Sequence, residues 1–211
     1  LTHGTDIGMT WDGNYYVLPA QTHDGASWTM KMQFHDASGT SLGEVWNKHV
    51  STSVYNPTGA DDSWFANWKK TRIVATGSNA DGLAASFDMT MTVTFVMAGD
   101  SLSGISASIT GSGTHKEPKN KVDLAMTMTN MTFSATYSGT NGTTVTNTGP
   151  DGVISFSGTV DEKPVSGSIT YVAGVGDGTV TVDGETVTIH INKDGTGNWK
   201  DSKGESHDFA A

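Results

Sequence analysis

Three pairs of methionines are the residues whose type and spacing most suggest chemistry in this chain. Each pair has the form Met-x-Met: Met30/Met32, Met89/Met91 and Met126/Met128. Residues two apart on an extended strand point to the same face, so the two thioethers of each pair should lie side by side. The chain contains no cysteine, which leaves thioether sulfur as its softest ligand, and with imidazole such sulfur selects Cu(I). We therefore expect a Cu(I) site that His35 or His49 would complete.

The same methionines also suit two apolar roles. Their strands carry Phe34, Phe87, Val93 and Phe95 on the same faces, so the simplest interpretation is core filling. Because methionine adapts to irregular shapes, these faces would also suit the interior of a lipocalin-like carrier of an apolar small molecule. The sequence does not separate a filled core from a cavity, and both alternatives stay open.

A second candidate metal site lies near the C-terminus, where oxygen-bearing residues alternate. Asp194, Thr196 and Asn198, with Glu205 at the twelfth position, partly match an EF-hand calcium loop. The sixth position is Trp199 in place of the usual glycine, and no helix is predicted on either side. We therefore expect a looser Ca²⁺ site in which Asp194 and Asn198 supply oxygen ligands.

Tryptophans are the candidate ligand-binding residues of a third kind of site. Trp64 and Trp68 lie within five positions, and Trp46 stands three residues before His49. Exposed indole rings can stack on sugar faces, which would suit a glycan-binding, structural or adhesive surface module. The alternative is a hydrophobic cluster beneath a loop.

The sequence gives only weak signs of catalysis. The chain has no G-x-S-x-G, no H-E-x-x-H and no glycine loop typical of phosphate binding. Whether the protein is an enzyme is uncertain from the sequence, and a binding role is favoured.

Charge and composition narrow the partners and the location. Twelve Lys and Arg against 22 Asp and Glu give a net charge of −10, which argues against a nucleic-acid partner. No apolar run reaches the roughly 18 residues of a spanning helix, so no transmembrane segment is expected. A surface rich in Thr, Ser, Gly and Asn is typical of exported bacterial β-proteins, which predicts an extracellular, periplasmic or cell-surface location. The start at Leu1, without an initiator Met or a signal-peptide pattern, is interpreted as processed or cloned.

Alternation of apolar and polar residues predicts strands. Trp28 to Phe34 and Phe87 to Met97 each place an apolar residue at every second position. Asp183-Gly184 predicts a two-residue hairpin turn that pairs Val180 with Val187, and a phase slip near Asn130 predicts a bulge. The fold class expected is all-β: an antiparallel β-sandwich or barrel with short hairpins and at most one or two short helical turns, the best candidate being 60–70.

The chain is expected to form a single all-β domain, 1–211. The alternative is two β lobes, 1–115 and 122–211, joined by the polar segment 116–121. The leading functional hypothesis is an exported or cell-surface protein that binds Cu(I) through Met and His or Ca²⁺ through loop carboxylates. The carrier and the surface module are its alternatives.

Overall fold

The computed structural model describes residues 9–23, 25–44, 67–99, 101–138 and 144–210. In this part of the chain fourteen strands form one sheet. Their bounds are β1 Thr10–Trp11, β2 Tyr16–Val17, β3 Gln21–His23, β4 Ala26–His35, β5 Lys70–Ser78, β6 Ala84–Ala98, β7 Ser101–Glu117, β8 Val122–Ser138, β9 Thr144–Val160, β10 Lys163–Val172, β11 Val175–Val182, β12 Glu185–Ile191, β13 Gly197–Lys200 and β14 Ser206–Phe209.

The sheet is an antiparallel meander. Each strand of the sheet pairs with the next one in the chain, except that β2 pairs with β4. The short strand β3 also pairs with β4 but lies outside this order. The predicted all-β antiparallel class is confirmed. The described strands form one continuous hydrogen-bonded sheet, with β1 and β14 at its two ends.

Local turn chemistry explains the hairpins. Asp183 and Gly184 both have positive φ, 53° and 85°, as a type I′ turn requires. Val180 accordingly pairs with Val187 and Val182 with Glu185, which confirms the predicted register. The segment 116–121 ends β7 and forms a 3-10 turn, Pro118–Asn120, after which β8 pairs back onto β7. Most of the helical candidate, 60–66, lies outside the described residues, and β5 begins at Lys70.

The predicted phase slip in β8 is also confirmed. Asn130 takes a left-handed conformation with φ 49°, and the register with both neighbouring strands shifts there. Thr110 on β7 holds the bulge, because its Oγ1 donates to Asn130 Oδ1 and accepts the Asn130 N–H. The slip brings Met131 onto the same face as Met128 although their positions differ in parity.

The sheet has one apolar and one polar face. On β6 the residues Phe87, Met89, Met91, Val93 and Phe95 share a face, and the register places Trp28, Met126 and Val187 on that same face. We call it the apolar face. The opposite face carries mostly Thr, Ser and charged residues, as in Asp88, Thr90, Thr92 and Thr94 of β6.

The buried core is small and lies towards the N-terminal edge of the sheet. Met9, Tyr16 and Phe34 are buried, and five partly buried residues pack on them: Trp11, Leu18, Met32, Leu42 and Trp68. After Met131, none of the described apolar side chains is fully buried. The C-terminal half of the apolar face is therefore partly open to solvent.

Candidate functional site

Aromatic rings on the apolar face lie over glycines of the neighbouring strand. The cross-strand pairs are Trp28/Gly77, Phe87/Gly113, Phe156/Gly167, Tyr171/Gly176 and Phe209/Gly197. A Cβ placed on any of these glycines would come within 2.5–2.8 Å of the facing ring. A ring that covers a glycine restores the apolar contact that the missing side chain would have made.

An apolar cleft opens across β6, β7, β8 and β9. Gly111 and Gly113 follow each other on this face of β7, so no side chain rises between β6 and β8 there. The cleft has a volume of about 340 Å³. It is lined by Phe87, Gly113, His115, Leu124, Met126 and Phe156. We call it the Gly113 cleft, and its size and lining are those of a site for a small apolar molecule.

His115 is the titratable side chain in the lining of the Gly113 cleft. Its Nε2 lies 3.7 Å from Glu117 Oε2, and the ring is 44% exposed. The imidazole therefore has a carboxylate partner at the end of β7. The hydroxyl of Thr114, which also lines the cleft, is hydrogen-bonded to Ser86 Oγ, and the other side chains of the lining offer carbon and sulfur atoms.

The structure places all six predicted methionine ligands on the apolar face, on three separate strands. One cross-strand row runs Met32, Ile73, Met89, Gly111 and Met128. A strand lies between successive pairs, so the Cα atoms of Met89 and Met128 are about 10 Å apart. Met126 also lines the Gly113 cleft, whereas the pair on β4 is four strands away from Met126.

The histidine and tryptophan candidates are not gathered with the methionines. Both ring nitrogens of His35 face oxygens, Nδ1 at 2.8 Å from Gly39 O and Nε2 at 3.0 Å from Gln33 Oε1. Trp68 packs with its ring centroid 5.8 Å from that of Phe34, and its Nε1 donates to Thr71 Oγ1. His49, Trp46 and Trp64 lie outside the described residues.

The two predicted calcium ligands are held apart from Glu205. Asp194 lies in the turn before β13, where the hydroxyl and the N–H of Thr196 donate to it and lower the pKa of its carboxyl. Asn198, on β13, pairs with His190 and Asp208. Glu205 follows β13, so the strand separates it from Asp194.

A different set of ligand atoms converges at the β13–β14 turn. One ligand atom each of Asp201, Glu205 and His207 lies within 4.8 Å of the others. The N–H groups of Glu205 and Lys203 donate to Asp201, the former being the larger cause of its lowered pKa. The His207 ring stacks on Trp199 with centroids 4.1 Å apart.

The sequence analysis did not predict this cluster, because Asp201 and Glu205 come together only through a tight turn. Asp201 N donates to Glu205 O at 3.1 Å, which closes the turn. A signal was present, since Glu205 and His207 are two apart on extended chain and share a side.

Comparisons with known proteins found no match, so the candidate sites are interpreted from their geometry alone. No family model matches the chain, and neither the curated proteins nor the solved structures gave a match. Within the described residues, no helix is long and apolar enough to cross a membrane.

Proposed function

We propose that this protein binds an apolar small molecule in the Gly113 cleft. The observation that carries the proposal is a cleft of about 340 Å³ whose walls are Phe87, Leu124, Met126 and Phe156 and whose floor is glycine. Ligand pockets of proteins are concave, mostly apolar and start at about 300 Å³. Such a cleft favours a compact apolar body over a charged or sugar-like ligand.

The surroundings of the cleft support uptake from solution. Its walls are only partly buried, so a ligand reaches them without opening of a core. Methionine and phenylalanine together give an adaptable, polarizable wall, which suits ligands of irregular outline. The site lies on an open sheet face, which distinguishes it from the enclosed interior of a lipocalin-like barrel.

The test is a fluorescence titration with N-phenyl-1-naphthylamine, whose emission rises in apolar surroundings. Met126→Glu places a charge in the cleft wall and should weaken binding at least tenfold, about 1.4 kcal/mol or more, because the dye would desolvate it. Thr127→Glu is the matched control, since Thr127 is the next residue of β8 and lies exposed on the polar face. Equal affinity of the two variants, both with wild-type circular dichroism, would contradict the proposal.

A second candidate function is the binding of a divalent cation at the β13–β14 turn. The observation that favours it is the convergence of Asp201, Glu205 and His207 within 4.8 Å. One imidazole and two carboxylates match the ligand preferences of Zn²⁺ better than those of Ca²⁺, which takes oxygen ligands. The lowered pKa of Asp201 keeps its carboxyl ionised at neutral pH, as a metal ligand must be.

Calorimetric titration with Zn²⁺ tests the second candidate. His207→Ala should remove saturable binding, and His190→Ala should leave it intact because His190 lies on β12 and pairs with Asp177. Binding that survives His207→Ala, or that fails in both variants, would count against the site.

A further inference from the structure

The apolar face of the C-terminal strands has no cover in the described structure. Val165 and Ile169 of β10, Val180 of β11 and Val187 and Ile189 of β12 share it, and none of them is fully buried. Val182, at the end of β11, is 41% exposed. An apolar patch of this extent on one side of a sheet is typical of an interface.

We propose that a second copy of this chain covers this patch, face to face, about a two-fold axis that runs along β11. The two sheets would then form a sandwich, with the apolar faces inside at the usual separation of about 10 Å. The dimer needs no ligand in the Gly113 cleft. The two sites share β8 and β9, since Leu124, Met126 and Phe156 lie on these strands, so the second copy would cover that side of the cleft.

The area of the patch is sufficient for a stable dimer. With β11 as the axis, strands β8 to β14 face their counterparts. Seven strands at about 4.8 Å spacing, four to seven residues long in the overlap, present about 700 Å² per copy. The total of about 1,400 Å² falls within the range of standard protein interfaces.

The residues of β11 and its neighbours are self-complementary about this axis. One cross-strand row contains Met128, Ile154, Ile169, Gly178, Ile189, Trp199 and His207. Gly178 stands at its middle, so the rotation turns the row onto itself and places Ile169 over Ile189 of the other copy. The residues of β11 on this face, Gly176, Gly178, Val180 and Val182, lie on the axis itself, so each faces its own counterpart in the other copy, as an isologous contact requires.

The charges at the end of the patch are complementary as well. Lys163 begins β10 and Glu185 begins β12, on either side of β11 and at the same end of the sheet. The rotation brings Lys163 of each copy towards Glu185 of the other. Within one copy Lys163 meets Asp183, at 3.4 Å, and Glu185 forms no salt bridge among the described residues. Among the described residues, most of the acidic side chains lie elsewhere, in turns and on the polar face.

Sedimentation equilibrium tests the dimer. The wild-type chain should show twice its mass of 22.1 kDa, and Ile189→Lys should raise the dissociation constant at least tenfold. Thr188→Lys, on the same strand but on the exposed polar face, is the matched control and should remain dimeric. Circular dichroism verifies that each variant folds. A wild-type chain that is monomeric at 100 μM, or a dimer that Ile189→Lys leaves intact, would overturn the proposal.

Charge reversal tests the axis. Lys163→Glu and Glu185→Lys should each weaken the dimer, because each sets like charges opposite one another. The double variant should regain most of the lost affinity, because the isologous contact is restored with its signs exchanged. Additive weakening in the double variant would overturn the placement of the axis along β11.

Discussion

Glycines opposite aromatic residues determine how the rings lie on the apolar face. The ring of Phe156 covers Gly167, and a Cβ there would lie 2.5 Å from the ring and 2.8 Å from Thr179 O. The neighbouring backbone cannot withdraw as a flexible side chain would. The small residue is therefore required by contact on two sides.

Gly167→Ala should lower the free energy of unfolding by about 1–3 kcal/mol, the usual cost of overpacking. Urea denaturation measures the change. Ser166→Ala is the control, since Ser166 is the adjacent residue and lies exposed on the polar face. A Gly167→Ala variant as stable as wild type would show that the ring of Phe156 does not rest on the glycine.

His190 and Asp177 form a charged pair on the polar face of β11 and β12. Asp177 Oδ1 lies 2.7 Å from His190 Nδ1, and this hydrogen bond is the main cause of the raised pKa of His190. A raised pKa means that the folded state favours the protonated imidazole. The stabilisation is therefore full below the ordinary histidine pKa and is lost as the pH rises through the raised value.

Asp177→Asn should reduce the melting temperature more at pH 5.5 than at pH 8.5, and should lower the pKa of His190 in an NMR titration. Asp161→Asn, in an exposed turn, should do neither. An unchanged His190 titration in Asp177→Asn would exclude the pair as the cause.

At the scale of elements, the bulge in β8 keeps a 17-residue strand apolar on one side along its length. Asn130 stands there with φ 49°, a conformation that costs most residues about 1–2 kcal/mol. Asparagine tolerates it, and the bonds with Thr110 add support.

Asn130→Ala should therefore destabilise the protein by about 2–3 kcal/mol, because it adds the backbone strain to the loss of the hydrogen bond from Thr110 Oγ1 to Asn130 Oδ1, while Asn130→Gly should lose only about 1 kcal/mol with that hydrogen bond. Chemical denaturation compares both with Thr129→Ala, an exposed position one residue away. Glycine as harmful as alanine would exclude backbone strain as the reason.

The elements were predictable where local pattern determines them. Alternation identified the strands around Trp28 to Phe34 and Phe87 to Met97, Asp183-Gly184 fixed a hairpin register, and the change of parity located the bulge at Asn130. The Gly113 cleft was not predictable, because it depends on Phe87 standing opposite Gly113, 26 positions along the chain. Local spacing carries no information about such long-range register.

At the scale of the whole molecule, local sequence pattern also fails to predict what packs against the apolar face of the sheet. Alternating residues predict that one side of a strand is apolar, whether a second sheet, a ligand or another copy covers it. The sandwich or barrel predicted from the sequence would supply that cover from within the chain. The described strands form one continuous sheet, and the apolar side chains around the Gly113 cleft and β11 are only partly buried, so both surfaces are accessible in the single chain.

The open single sheet is tested most directly by a distance between spin labels on β4 and β13. The chain has no cysteine, so Thr29→Cys with Lys200→Cys gives two specific sites on the polar face. Nine strand steps separate them, about 43 Å along the sheet. Double electron–electron resonance, on protein diluted with unlabelled chain, should give a distance between the labels of more than about 30 Å. This value is below the roughly 43 Å of a flat sheet because the twist of the sheet shortens the distance. A distance below about 25 Å, as in a barrel closed through β14 and β1 or a sandwich within one chain, would contradict the account.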